Sequence, residues 1–143
     1  GGGANGGGRT PGDPDFVNIV PSDQFLDRYV FFADYTYPDT SVTVVRRRSD
    51  KGFLPVEIDC GGAIEGFAPL GSSGEYEYAW VKLTVGSVAQ KLSKGECGYG
   101  RHEVWSNAPF SITVWGVGQD ASYGYAGGMG SRPINAAPLP QVN

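Results

Sequence analysis

Residues 109–132 read PFSITVWGVGQDASYGYAGGMGSR. The first half alternates: Phe110, Ile112 and Val114 fall on one face and Ser111, Thr113 and Trp115 on the other, the period of a half-buried strand. A core strand is predicted there. In the second half glycine takes positions 124, 127, 128 and 130, and residues without a Cβ permit positive φ and let other backbone pass close by. That half is predicted to be a shaped loop.

Outward from this stretch the same alternation recurs between turn signals. Residues 16–20, with Phe16, Val17 and Ile19, read as a short strand stopped by Pro21. Residues 24–35 carry Phe25, Leu26, Tyr29, Val30, Phe31 and Phe32 and become apolar on both faces, as a central sandwich strand does. Tyr37-Pro-Asp-Thr supplies a turn, and residues 41–47 alternate again, which predicts a hairpin. Residues 53–59 make a short strand ending at Cys60-Gly-Gly, and residues 63–74 read as loop. In residues 76–85 the pattern is clearest, Ala79, Val81, Leu83 and Val85 opposing Tyr78, Trp80, Lys82 and Thr84. Residues 87–97 read as a further strand or edge segment. Residues 102–106 form another strand, and Asn107-Ala-Pro then delivers the chain into the organising strand.

No sustained helical period, heptad or internal repeat occurs. The expected fold is all-β, a single antiparallel β-sandwich of about seven to nine strands. It spans residues 15–135, between a Gly/Pro-rich arm or linker at 1–14 and a Pro-rich tail at 136–143.

Composition agrees. A chain of 143 residues fits one domain, and 23 glycines and 10 prolines suit tight turns between short strands. No apolar run reaches the roughly 18 residues that span a bilayer, so a soluble protein is expected, beginning at Gly1 with any targeting signal outside it. Net charge is −4, which gives no support to binding of phosphate backbones, and nucleic acid is not expected as a partner. Cys60 and Cys97 are the two cysteines, and His102 the single histidine. A structural zinc site wants four closely spaced ligands, so a disulfide is the better reading of the pair, ahead of free thiols. It would contribute roughly 4 kcal/mol on the chain-entropy model and would imply an oxidising compartment.

Catalytic constellations are hard to assemble. His102 falls in Arg101-His-Glu-Val-Trp, on one face of a strand, and no Gly-x-Ser-x-Gly elbow occurs. The carboxylate pairs Glu57 with Asp59 and Glu75 with Glu77 share strand faces, as glycoside hydrolysis would require, but such pairs are common at solvated strand ends. Asp13, Asp15, Asp34 and Asp39 offer loop oxygens of the kind extracellular calcium sites use, without EF-hand spacing. Arg46, Arg47 and Arg48 read as a solvated strand end. No catalytic residue, metal or cofactor is expected.

Phe110-Ser-Ile-Thr-Val-Trp-Gly, then Ala121-Ser-Tyr-Gly-Tyr-Ala-Gly-Gly-Met-Gly and Arg132-Pro-Ile-Asn, resembles the C-terminal part of the IgGFc-binding protein domain family, found in bacterial surface proteins and animal mucin-like proteins. That family usually has a proline where this chain has Ala126. The resemblance extends from about Phe16 to Asn135. It implies an antiparallel β-domain of an extracellular or cell-surface protein and says little about chemistry.

With chemistry set aside, Tyr37, Tyr99, Tyr123 and Tyr125 stand out, together with Tyr35, in or beside predicted turns. Tyr among Gly and Ser gives wide contact at low entropic cost, the palette of protein and sugar recognition. The alternative is that these rings close the ends of the sandwich. The leading expectation is a non-enzymatic adhesion domain binding protein or glycan at a cell surface. The second is a subunit of an extracellular filament. There residues 1–20 form a linking arm whose Phe16, Val17 and Ile19 add as a strand to a neighbour's sheet edge, a heterologous contact that propagates.

Overall fold

The computed structural model describes residues 22–118, together with the strand backbone at 122–126 and 128–129. Phe16, Val17, Ile19 and the rest of the predicted arm lie outside the described residues, as does the tail. A 3-10 turn at Ser22–Gln24 leads into eleven strand segments: β1 Leu26–Ala33, β2 Asp39–Arg47, β3 Val56–Ile58, β4 Gly62–Ala63, β5 Ala68–Leu70, β6 Tyr76–Val85, β7 Val88–Lys91, β8 Glu96–Cys97, β9 Gly100–Val117, β10 Ser122–Ala126 and β11 Gly128–Met129. Every pairing is antiparallel, and the all-β domain read from the sequence is what the chain forms.

The topology turns on β9. Its first half lies between β1 and β3, and its second half lies between β2 and β10. Beyond β2 the ladder continues through β6 and β7 to β8. The result is one curled sheet with two arms sharing an 18-residue strand. Tyr29, Phe31 and Ala33 of β1 and Val56 and Ile58 of β3 pack in one cluster with Val42 and Val44 of β2, Ala79, Val81 and Leu83 of β6, and Phe110, Ile112 and Val114 of β9. Both arms therefore bury their inner faces in the same core, as a sandwich requires.

Several expectations are corrected. β1 and β2 do not pair as a hairpin, because β9 lies between them and pairs with both. Residues 107–109 do not end a strand: β9 runs through them, although they have no partner on either neighbouring strand in the register. Pro109 lacks an N–H, so it is tolerated where no ladder bond is required. The loop predicted at 63–74 holds β5, paired with β6. Residues 122–126 pair with 113–117, so the glycine-rich half continues the sheet. Val85 is exposed rather than in the core: a register shift opposite Thr40 and Ser41 carries β6 past one residue, after which Thr84 is buried and Val85 faces out.

The outer face is also covered. Ser111 and Thr113 are buried, as are Thr43 and Val45 beside them, and the Trp115 Nε1–H donates to Thr43 Oγ1 at 3.2 Å. Arg46 is likewise not a solvated strand end. Its guanidinium lies 3.7 Å from the Phe67 ring centroid, Nη2 meets Glu77 Oε1 at 2.6 Å and Nη1 donates to the Leu54 carbonyl at 2.9 Å. Arg47 and Arg48 are exposed.

Candidate functional site

Three connections meet at one end of the domain. The turn from β1 to β2 is built by Asp34, whose Oδ1 accepts from the Thr36 backbone N–H at 2.9 Å and from its hydroxyl at 2.8 Å. The β6–β7 connection is a two-residue turn at Gly86 and Ser87, both at positive φ (57° and 66°), which is the type I′ geometry that suits the twist of a hairpin. These two turns are tied together: Gly86 N–H donates to Asp39 Oδ1 at 2.7 Å and Ser87 N–H to the Pro38 carbonyl at 2.8 Å. Val117, where β9 ends, pairs with Asp39 on one side and Ser122 on the other.

This pole gathers exposed apolar surface. Tyr35 is 74% exposed and Val88 62%, with Val85 and Val117 exposed beside them. Tyr99 and Tyr37 are brought together, the Tyr99 hydroxyl donating to the Tyr37 carbonyl at 2.6 Å, and Tyr99 also packs on the core. Of the predicted tyrosines, then, Tyr37 and Tyr99 meet here half-buried, and Tyr35 projects between the turns. Tyr123 and Tyr125 stand opposite Gly116 and Val114 in the register, running away from the pole, and their side chains are outside the described set. The exposed valines were missed in the sequence, since alternation assigns Val85 to the core.

A concavity lies on the flank, an open groove of about 490 Å³ over Trp80, with Glu65, Lys82, Gln90, Lys91 and Ser93 among its walls. Lys82 Nζ stands 4.8 Å from the Trp80 ring centroid. The candidate calcium oxygens are otherwise engaged: Asp34 and Asp39 hold backbone of the turns, and Asp13 and Asp15 are outside the described residues.

Cys60 and Cys97 form the predicted disulfide, with Cα atoms 5.1 Å apart. Cys60 follows β3 on one arm and Cys97 ends β8 on the other, so the bond closes the curled sheet across its open side. His102 is buried against it, its Nδ1 3.1 Å from Asp59 Oδ1 and its Nε2 2.7 Å from the Gly98 carbonyl. Both ring nitrogens face acceptors within the protein, an arrangement that orients the ring rather than presenting it to a nucleophile. Glu77 is held by Arg46, and the paired-carboxylate reading of Glu75 and Glu77 loses its second free acid.

These features define a disulfide-pinned, antiparallel β-domain whose exposed apolar side chains collect at one end. A profile of the family described as IgGFc binding protein matches residues 1–116, most of the chain, and the chain belongs to that family, one of binding domains. The match ends within β9, so the Ser-Tyr-Gly-Tyr run lies beyond it. No curated protein and no solved structure matches the chain. Among the described residues, no helix is long and apolar enough to cross a membrane.

Proposed function

We propose that this is an extracellular, non-enzymatic binding domain of the adhesion type, and that it grips a protein at a cell surface through the pole formed by Tyr35, Tyr37, Tyr99, Val85, Val88 and Val117. The observation that carries this reading is the gathering of exposed Tyr35 and three exposed valines on turns that are cross-tied by hydrogen bonds. A preorganised apolar patch with an aromatic anchor loses little entropy on binding, which is how a small surface gains affinity. Family membership supports a protein partner, and the disulfide fits an oxidising, extracellular setting.

The test is binding of the intact chain to protein and glycan arrays, followed by the double variant Tyr35→Ala/Val88→Ser. Loss of at least tenfold in affinity for a captured protein, with the thermal midpoint retained, supports the pole. Unchanged binding sinks it. Loss on Trp80→Ala with the pole variant unaffected would move recognition to the flank groove and favour a glycan. The filament reading has a separate test: the intact chain should form no filaments by electron microscopy if the domain works singly, and deleting residues 1–20 should abolish them if the arm links copies.

A further inference from the structure

The corner between β3, β8 and the start of β9 holds four metal-ligating side chains at the edge of the core. A carboxylate oxygen of Asp59, Sγ of Cys60 and a ring nitrogen of His102 lie within 4.8 Å of one another, and Cys97 is bonded to Cys60. The His102 Nε2 stands 2.7 Å from the Gly98 carbonyl, which only accepts, so that nitrogen carries a hydrogen. Nδ1 thereby faces Asp59 Oδ1 at 3.1 Å, the two atoms converging on one point. Metal-binding imidazoles are held in this manner, the second N–H given to a carbonyl while the first nitrogen faces the ion. One imidazole, one carboxylate and two sulfurs make the donor set of a tetrahedral zinc site, provided that the sulfurs are thiolates.

We propose that opening the Cys60–Cys97 disulfide converts this corner into a zinc site with Cys60 Sγ, Cys97 Sγ, His102 Nδ1 and Asp59 Oδ1 as ligands. A dithiol reductant supplies two electrons and two protons: the S–S bond breaks, two thiols form and the reductant closes to its own disulfide. Zinc then displaces the two thiol protons, which pass to solvent, and takes a lone pair from each of the two thiolates, Nδ1 and Oδ1. Two sulfurs bound to one tetrahedral zinc lie about 3.8 Å apart, so only a small parting of the cysteines is needed.

The frame that would hold them is independent of the sulfur bond. Asp59 N–H donates to the Glu103 carbonyl at 2.9 Å, Gly61 N–H to Ile58 at 3.1 Å and Lys94 N–H to Gly61 at 3.0 Å, while Gln90 pairs with Cys97. Asp59 is partly exposed and gives the ion a way in. Every copy passes through the dithiol state before its disulfide forms, and zinc held there keeps the two cysteines side by side.

The experiment titrates the full chain with cobalt(II), then zinc, in its oxidised form and after reduction by a phosphine, which does not compete for the metal. Reduced chain should take up one cobalt with a thiolate charge-transfer band and tetrahedral visible bands, zinc should displace it, and oxidised chain should take up none. Asp59→Asn and His102→Gln should each weaken the reduced chain's affinity at least tenfold. Circular dichroism accompanies each titration. If His102→Gln does not fold, Asp59→Asn decides alone. Zinc bound without β-structure, equal affinity in Asp59→Asn, or no cobalt–thiolate band would each overturn the proposal.

Discussion

The Tyr29 hydroxyl donates to the Phe110 carbonyl at 2.6 Å, at the point where β9 passes from one arm of the sheet to the other. The same oxygen accepts from Leu26 N–H at 3.1 Å, and the two rings meet edge to face with centroids 4.9 Å apart. One side chain thus supplies polar partners where the ladder is interrupted between Leu26 and Arg28. Burial pushes the Tyr29 phenol up to about 12, with the Leu26 N–H pulling it down and the Asp27 charge pushing it up.

Tyr29→Phe is expected to cost about 1–2 kcal/mol, since the Leu26 N–H and Phe110 carbonyl lose a buried partner. The folded value lies above the ordinary 10, so the stability the neutral phenol contributes is fully present below about pH 10 and is lost as pH rises through about 12. Urea titrations across that window should show the wild type losing its advantage over Tyr29→Phe. Parallel decline of the two proteins would disprove the assignment.

Reducing the disulfide, or replacing both cysteines by alanine, should lower stability by about 4 kcal/mol for a separation of 37 residues. The thermal midpoint should fall by on the order of 10 °C. A change below about 1 kcal/mol in urea would show that the two arms close without the bond.

Arg46→Ala should destabilise by about 2–3 kcal/mol, as Phe67 loses its stacked guanidinium and Glu77 is left partly buried without its cation. Arg46→Lys should recover less than half, because an ammonium reproduces neither the planar stack nor the fork that reaches Leu54 and Glu77 together. Full recovery by lysine would reduce the site to simple charge pairing.

Ser87→Gly should stabilise the domain by about 0.5 kcal/mol, shown as a higher urea midpoint at constant slope. Ser87 occupies φ 66°, which a side chain resists and glycine adopts freely. Its N–H bond to Pro38 is kept in the variant. A lower midpoint would mean that the serine side chain contributes more than its backbone strain costs.

Periodicity was enough for the long strands. Tyr76–Val85 is bounded in the sequence where it is bounded in the fold, and Phe110, Ile112 and Val114 point into the core as their alternation requires. What lies between strands was less legible. Alternation says which face a residue takes but not which strand lies next to it, and so β9 could not be placed between β1 and β2. Pro109 reads as a stop because a local rule cannot know that both neighbouring ladders skip residues 107–109. Arg46 reads as solvated because Phe67, its cover, comes from a stretch with no strand pattern. The pole was half visible: turn chemistry marked Tyr35 and Tyr37, but Val85 reaches it only through a bulge. The approach of Asp59 to His102, 43 residues away, had no local signal.

The placement of β9 also sets the order in which the domain can be made. Among the described residues β1 pairs with β9 and β11, and β3 with β9 and β4, so neither arm can close until residues 100–117 have emerged. Until then β1, β2 and β3 offer unpaired edges beside a waiting Cys60, with a chaperone or a neighbouring chain as the competitor for them. Among the described strands, the β2–β6, β3–β4, β5–β6, β6–β7 and β7–β8 ladders can form before β9 is available. Folding is therefore expected to wait for residues 100–117 and to be slow, in the millisecond-to-second range of proteins dominated by distant contacts.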